Sequence, residues 1–169
     1  MPSLYFLFFG RIDKYKGILT LLKSYHLYDG DIGLVIAGKG MLTEEEKNRI
    51  LNEERCVLIN RYISDEEMVW LFDNASALVL PYLDATQSGI IPISYKFGKP
   101  VIVSDVEGLT QFVVDGETGF ICRTEEDYKN SFKIIEADTK RFEEKCKLYY
   151  RDNLDWKKNL ESLICQITT

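Results

Sequence analysis

Residues 4–40, LYFLFFGRIDKYKGILTLLKSYHLYDGDIGLVIAGKG, decide the fold class of this chain. Two short apolar runs, 4–10 and 32–38, flank a segment at 16–28 whose apolar residues recur at helical spacing. Uninterrupted apolar runs of this length are typical of strands buried on both faces of a parallel sheet. A helix between two such strands is the repeating unit of a doubly wound sheet. The stretch therefore predicts strand, helix and strand, in that order.

The same alternation continues beyond residue 40. Further apolar runs predict strands at 56–60, 77–81 and 100–105. Helices are predicted at 42–54, 64–75, from near Ser88 or Gly89 onward, at 124–136, at 138–151, and from Leu154 to about Ile167. This order predicts an α/β fold, a Rossmann-like doubly wound parallel sheet with helices on both faces.

Local signals refine the element boundaries. Thr43 is predicted to cap its helix, and Ser64 followed by Glu67 is typical of a capping box. Between 105 and 123 the glycines predict a loop with hairpin-type connections at its D-G and T-G pairs.

Length and composition predict a single domain over 1–169, with C-terminal helices over 138–169. The chain has 169 residues, of which 46% are hydrophobic and 28% are charged, as is ordinary for a globular protein. Its formal net charge of −6 argues against a nucleic-acid partner, which would require a large basic excess. The apolar runs are too short to cross a bilayer, which takes about 20 residues.

The cysteines and the single histidine narrow the chemistry further. The cysteines form no C-x-x-C pair, which argues against zinc and favours reduced core thiols in a cytoplasmic protein. They are Cys56, Cys122, Cys146 and Cys165. His26 lies in a helical pattern, so we expect it at the surface and expect no Ser-His-Asp site.

Ligands of doubly wound sheets bind at the carboxyl ends of the strands, so the loops there are the candidates for chemistry. In GRIDKYKG, Gly10 permits a sharp exit from the strand, and Arg11 and Lys16 flank the turn. A guanidinium and an ammonium at such a place suit a phosphate or diphosphate, although this loop alone also fits two solvated charges. The next loop, AGKG, lacks the third glycine of the dinucleotide fingerprint, which argues against a nicotinamide enzyme.

The stretch ATQSGIIPISYKFGKP, residues 85–100, supplies a second candidate anion site. Pro92 is tolerated only in the first turn of a helix, so the helix should begin near Ser88 or Gly89. The amides of residues 88–91 then fall among the unpaired donors of a helix start, which attract anions. The alternative is that Ser88 only caps a core helix.

Taken in order, these motifs resemble a known family. The set GRIDKYKG, LVIAGKG, VLINRYISDEEMVWLFDNASALVLPY and SGIIPISYKFGKPVIVSDVEGLTQFVVDGETGFI resembles the C-terminal domain of retaining glycosyltransferases of family four, the group one transferases of the GT-B fold. The likeness covers roughly residues 4–135. It implies a UDP- or GDP-linked sugar donor, a glycan or lipid-linked acceptor and no metal requirement. It also implies bacterial-type surface glycan or glycolipid synthesis, by a parent enzyme at the inner face of a membrane.

The resemblance also assigns site residues by motif match. Arg11 and Lys16 would be the catalytic groups, which stabilise the departing diphosphate. Ser88, Gly89 and Ile90 would cradle its distal phosphate with their amides. The full set of positions that it implies for sugar-donor binding is Gly10, Lys39, Tyr62, Ile63, Asp84, Gln87, Ser88, Gly89 and Ile90.

Two departures from the family pattern leave alternatives open. The paired glutamates that the family often carries correspond to Ala85 and Ile93, so Asp84 and Gln87 are the nearby substitutes for sugar recognition. We also expect that the N-terminal acceptor domain of a complete transferase is absent from this chain and that this domain is inactive alone. The alternatives are a degenerate or non-catalytic nucleotide-binding module, an interaction domain, and a receiver-type signalling domain. No acidic cluster follows the first strand, which argues against the last of these.

Overall fold

The computed structural model describes residues 1–155. Within that range the chain forms a six-stranded sheet in the order β3-β2-β1-β4-β5-β6. All neighbouring strands pair in parallel. The strands are β1 Tyr5–Phe9, β2 Gly33–Ala37, β3 Cys56–Ile59, β4 Ala75–Leu80, β5 Val101–Ser104 and β6 Gly119–Cys122. The predicted Rossmann-like doubly wound fold is therefore confirmed.

The helices follow the strands in the alternation that the sequence predicts. They are α1 Ile18–His26, α2 Glu44–Leu51, α3 Asp65–Asn74, α4 Ile90–Lys96, α5 Glu107–Thr110, α6 Glu125–Ala137 and α7 Lys140–Tyr149. A π-helical turn, Tyr150–Leu154, closes the described part. The helix predicted from Leu154 to about Ile167 lies almost entirely outside the described residues.

Capping fixes the starts of the amphipathic helices. The hydroxyl of Thr43 accepts a hydrogen bond from the amide of Glu46, and the Glu46 carboxylate accepts one from the amide of Thr43. Ser64 and Glu67 make the same reciprocal pair at α3. Each pair satisfies amides that a helix start leaves unpaired. Both predicted caps are confirmed.

The predicted first helix is wrong at its beginning. Lys14–Lys16 form a separate 3₁₀ turn, and Gly17 then adopts the left-handed conformation, with φ +66°, before α1 begins at Ile18. A Cβ atom at position 17 would lie 1.8 Å from the carbonyl oxygen of Pro81. Lys16 therefore belongs to a turn that packs against the end of β4, and not to the first helix.

The loop predicted between 105 and 123 is also wrong, because it contains α5 and the sixth strand. β6 pairs in parallel with β5, which a hairpin cannot achieve. The D-G pair does form a tight turn, with Gly116 at φ +73°, and the chain enters β6 at once from it. Its hydrogen bonds join Gly116 to Gly119 within the turn. The predicted D-G turn is therefore confirmed, whereas the T-G pair forms no separate turn, because its glycine, Gly119, begins β6.

The predictions for the core thiols and the histidine hold in the described part. Cys122 and Cys146 are buried and Cys56 is half-buried, all as free thiols. Burial raises the pKa of each of these three thiols to about 12. The His26 side chain is 76% exposed, near Glu53. Cys165 lies outside the described residues.

The strand order positions the candidate site. From β1 the sheet continues to β2 and β3 on one side and to β4, β5 and β6 on the other. The direction in which the chain adds strands therefore reverses between β1 and β4. Doubly wound sheets bind ligands in the crevice at this reversal point, outside the carboxyl ends of the strands. None of the helices described in residues 1–155 combines the length and apolar character needed to cross a membrane.

Candidate functional site

A cleft of about 1020 Å³ opens at the carboxyl ends of β1, β2 and β3. Its lining comes from the end of β1, the loops that follow the three strands and the start of α3. The lining residues are Phe9, Gly10, Arg11, Ile12, Asp13, Lys14, Gly38, Lys39, Gly40, Met41, Leu42, Thr43, Arg61, Tyr62, Ile63, Asp65 and Met68. Five predicted site residues therefore share this cleft: Gly10, Arg11, Lys39, Tyr62 and Ile63.

Backbone contacts join the first two loops of the cleft into one unit. The amide of Gly10 donates to the carbonyl of Ala37 at 3.0 Å, and the amide of Ile12 donates to that of Lys39 at 3.0 Å. Gly38 has φ +144°, and a Cβ atom there would lie 1.9 Å from the carbonyl oxygen of Gly10. Only glycine permits this approach, because any other residue would bring both a clash and an unfavourable backbone conformation.

Asn60 ties the third loop to the second, and sequence reasoning missed it. Its side-chain oxygen accepts from the amide of Gly40 at 3.0 Å, and its side-chain nitrogen donates to the carbonyl of Gly40 at 3.1 Å. The carboxamide thereby occupies both backbone groups of the residue beside Lys39. The available signal was a polar residue placed immediately after β3, at the binding edge of the sheet.

Tyr62 and Ile63 differ in how they meet the cleft. Tyr62 is 76% exposed, whereas Ile63 is buried. The carbonyl of Tyr62 accepts from the guanidinium of Arg61 at 2.9 Å, and the same guanidinium binds the Glu67 carboxylate at 2.5 Å. The Arg61 and Ser64 hydrogen bonds lower the pKa of Glu67 to about 2.

Arg11 and Lys16 lie at the two ends of the turn that follows β1. Arg11 lines the cleft, and its guanidinium approaches Asp13 at 3.7 Å while remaining 71% exposed. Lys16 does not line the cleft. Its ammonium lies 3.5 Å from the ring centroid of Tyr82, in the loop that follows β4. The turn therefore bridges the cleft and the β4 loop, across the reversal point of the sheet.

The loop after β4 has the helix start that the sequence predicts. Gly89 is the N-cap of α4, and Pro92 lies in the first turn. Ser88 is buried, but it is not the N-cap and no side chain caps this helix, so the interpretation of Ser88 as a simple cap is wrong. In the described chain, the amides of Ser88 and Gly89 donate no hydrogen bond within the protein. No atom lies within 4 Å of where a Cβ of Gly89 would be.

The positions of the missing glutamates are occupied by apolar side chains in contact with the core. Ala85 and Ile93 are both half-buried and pack against the hydrophobic cluster. Asp84 and Gln87, the proposed substitutes, are exposed on the same loop, and Ile90 is half-buried at its end. The structure brings Lys16 and this loop together but separates both from the cleft lining.

The charge of the cleft differs in sign from that of the whole chain. Four cationic side chains line it against two carboxylates, although the chain carries a net charge of −6. The cations are Arg11, Lys14, Lys39 and Arg61. Of these, Arg61 is already paired with Glu67. The positive charge of this cleft, at the carboxyl edge of a doubly wound sheet, attracts a ligand that carries an anionic group such as a phosphate.

Sequence comparison identifies the family. The family profile described as glycosyl transferases group 1 matches residues 2–152. The chain belongs to the group 1 glycosyltransferase family. A curated relative, an uncharacterized glycosyltransferase of Methanocaldococcus jannaschii, is 26% identical over 165 residues, which cover 91% of this chain and 42% of that protein. The chain thus spans less than half the length of the curated relatives it matches.

Solved structures show the same fold. The structure of Anabaena HepE in complex with UDP superimposes with a TM-score of 0.80 at 14% identity, over 99% of this chain and 49% of that one. The C-terminal domain of a group 1 glycosyl transferase, LpcC, from Francisella tularensis superimposes with a TM-score of 0.74 at 15% identity. That match covers 87% of this chain and 83% of the other. These likenesses establish the GT-B type of Rossmann-like fold for this chain.

Proposed function

We propose that this chain is the sugar-donor-binding domain of a retaining glycosyltransferase, and that it binds a nucleoside diphosphate sugar across the reversal point of its sheet. The nucleoside would occupy the cleft beside Lys39 and Tyr62. The diphosphate would extend past Gly10 toward Arg11 and Lys16. Its distal phosphate would meet the unpaired amides of Ser88 and Gly89, in the loop after β4. Family membership supports the reaction class, and the resemblance to a solved C-terminal domain supports the assignment to the donor-binding half.

One observation carries this proposal. A turn of only a few residues places one cation, Arg11, at a large cleft and a second cation, Lys16, against Tyr82 in the loop after β4, and this loop leads to the unused amides of Ser88 and Gly89. A nucleoside diphosphate has the matching shape, because its uncharged end is bulky and its charged end is compact. Guanidinium, ammonium and amide groups are the donors that bind phosphates in proteins.

The chemistry follows from where charge develops. When the bond between the anomeric carbon and the diphosphate breaks, negative charge accumulates on the leaving phosphate oxygen. Arg11, Lys16 and the amides of Ser88 and Gly89 would stabilise that charge in fixed positions, which lowers the barrier. The acceptor would then add to the same face of the sugar, with retention of configuration. The residues that would hold the acceptor are expected on an N-terminal domain, so this domain is expected to be inactive alone.

Calorimetric titration with UDP and GDP tests the site. We expect Arg11→Ala and Lys16→Ala each to weaken binding by about tenfold or more, which corresponds to one lost charged hydrogen bond. Lys133→Ala is the matched control. Lys133 lies on α6, pairs with Asp29 and does not line the cleft. Equal affinities in all three variants would exclude the proposed phosphate site.

The second candidate function is a degenerate nucleotide-binding module without sugar transfer. Apolar Ala85 and Ile93 at the glutamate positions favour it, because neither can bind a sugar hydroxyl. The two functions separate on sugar recognition. A sugar-donor site predicts that Asp84→Asn and Gln87→Ala weaken UDP-glucose or GDP-mannose binding while leaving UDP and GDP binding unchanged. A degenerate module predicts that the wild-type chain binds the nucleotide sugar no more tightly than the free diphosphate.

The place of this domain in the cell is also a proposal. We infer a role in surface glycan or glycolipid synthesis, with a glycan or lipid-linked acceptor, from the group one resemblance. The parent enzyme would act in the cytoplasm at the inner membrane face. Assay of the full-length parent with membrane fractions, with and without added lipid acceptor, tests this. Sugar transfer to a water-soluble acceptor with no membrane fraction would contradict it.

A further inference from the structure

Lys16 is held in a different way from Arg11. Its ammonium lies 3.5 Å from the ring centroid of Tyr82 and 4.8 Å from that of Tyr15. The two rings meet edge to face, with centroids 6.4 Å apart and planes at 70°. In the described residues Lys16 has no carboxylate partner, whereas Arg11 approaches Asp13. Lys16 is thus fixed by aromatic faces, which leave its charge unneutralised.

Tyr15 and Tyr82, together called the aromatic seat, are held in place by burial and by hydrogen bonds of their backbone. Tyr82 is 2% exposed, and its carbonyl accepts a hydrogen bond from the hydroxyl of Ser104 in β5. The amide of Leu83 donates to the carbonyl of Tyr15 at 2.8 Å, which ties the two tyrosines together. The close packing of Gly17 on Pro81 also fixes the turn after β1 against the loop after β4.

The seat matters because a lysine side chain has many rotamers. Ordering such a chain when a ligand binds costs conformational entropy, and ordering it beforehand removes that cost from binding. A carboxylate could also order the ammonium, but it would compete with a phosphate for the same charge. An aromatic face attracts a cation through its quadrupole and carries no net charge.

We propose that Tyr82, together with Tyr15, positions Lys16 for the diphosphate of the ligand. Tyr82 acts through Lys16 and need not touch the ligand itself. This inference rests on the proposed function, since it names the residue that orders one of its two cations. It predicts that the phosphate part of the ligand depends on the Tyr82 ring and that the nucleoside part does not.

Titration of the whole chain with UDP, and with uridine as the phosphate-free probe, tests this inference. We expect Tyr82→Leu to weaken UDP binding by about tenfold and to leave uridine binding unchanged. Tyr82→Phe keeps the ring and should bind UDP within about twofold of the wild type. Tyr15→Leu removes an exposed ring and should weaken UDP binding by a smaller factor, about threefold, without loss of folding.

A double-mutant comparison distinguishes positioning from general packing. In a Lys16→Ala background, Tyr82→Leu should have no further effect on UDP affinity, because the group that it positions is gone. An equal loss in both backgrounds, or UDP binding unchanged in a folded Tyr82→Leu, would overturn the inference. If Tyr82→Leu does not fold, Tyr15→Leu takes its place in the same comparison. The inference is then overturned if Tyr15→Leu weakens UDP binding by the same factor with and without Lys16→Ala. A wild-type chain that binds neither UDP nor GDP would instead overturn the proposed function, and this inference with it.

Discussion

The nucleoside side and the phosphate side of the proposed site are built in opposite ways. On the nucleoside side, backbone hydrogen bonds and the Asn60 carboxamide bind the loops after β1, β2 and β3 to one another. On the phosphate side, among the described residues, the amides of residues 84–89 donate no hydrogen bond within the protein. The first region is complete without a ligand, whereas the second keeps donors unused. From the proposed function, we expect the nucleoside to meet a preformed surface and the diphosphate to bind the donors that the phosphate side leaves unused.

The largest expected effect comes from breaking the nucleoside side at Gly38. Gly38→Ala would place a methyl group 1.9 Å from the Gly10 carbonyl oxygen at a φ of +144°. We expect a loss of about 3 kcal/mol in the free energy of unfolding, or a fall in Tm of roughly 10 °C. Thermal unfolding followed by circular dichroism measures it. A Tm within about 2 °C of the wild type would show that the two loops are not tied as described.

Gly89→Ala probes the phosphate side and should behave in the opposite manner. Its φ of −66° suits any residue, and no atom lies within 4 Å of the added methyl group. We expect an unchanged Tm and about tenfold weaker UDP binding, because the methyl group would stand before the bare amides. Uridine binding, measured in parallel, should not change. A loss of stability with no loss of UDP affinity would mean that these amides serve the fold and not a ligand.

Asn60→Ala sharpens the comparison by loosening the nucleoside side without a clash. The substitution removes both hydrogen bonds to Gly40, at a cost of about 1 kcal/mol because the residue is exposed. Uridine affinity should fall by a few-fold, since the loop that carries Lys39 is no longer fixed. Asn60→Asp keeps the acceptor toward the Gly40 amide and should lose less. Equal uridine affinity in the two variants and the wild type would show that the hydrogen bonds between Asn60 and Gly40 play no part in uridine binding.

The smallest expected effect concerns pH. Glu67 has its pKa lowered from 4.5 to about 2 by Arg61 and Ser64. A depressed folded-state pKa stabilises the fold above the unfolded-state pKa, and this stabilisation is lost as the pH falls from about 4.5 toward 2. The Tm difference between the wild type and Glu67→Gln should therefore be largest near pH 7 and vanish near pH 2. A Tm difference between the two proteins that stays constant from about pH 7 to pH 2 would contradict this prediction.

Local patterns were enough to predict five of the strands and most of the helix starts. Apolar runs give buried strands, and Thr43 and Ser64 cap helices through residues only three positions away. The strand Gly119–Cys122 was missed because four residues after a D-G turn carry too short a pattern to show their pairing direction. Periodicity also extended the first helix across Gly17, whose left-handed conformation depends on contact with distant Pro81.

Some residues of the candidate site could likewise be predicted from local patterns, and others could not. Arg11, Lys39 and the start of α4 could be placed from strand ends and helix-start chemistry. The hydrogen bonds of Asn60 to Gly40 and the contact of Lys16 with Tyr82 could not, because each joins residues that are 20 or more positions apart in the sequence. Long-range contacts decide which of the predicted residues are held rigid, and only the three-dimensional arrangement reveals them.

The most direct test is a crystal structure of this chain with UDP or GDP bound. The base should lie in the cleft beside Lys39 and Tyr62, with the diphosphate between Arg11 and Lys16 and its distal phosphate at the amides of Ser88 and Gly89. A nucleotide bound in that cleft whose diphosphate points away from Lys16 and the β4 loop would contradict the proposed site. A nucleotide bound anywhere else on the chain would contradict it as well.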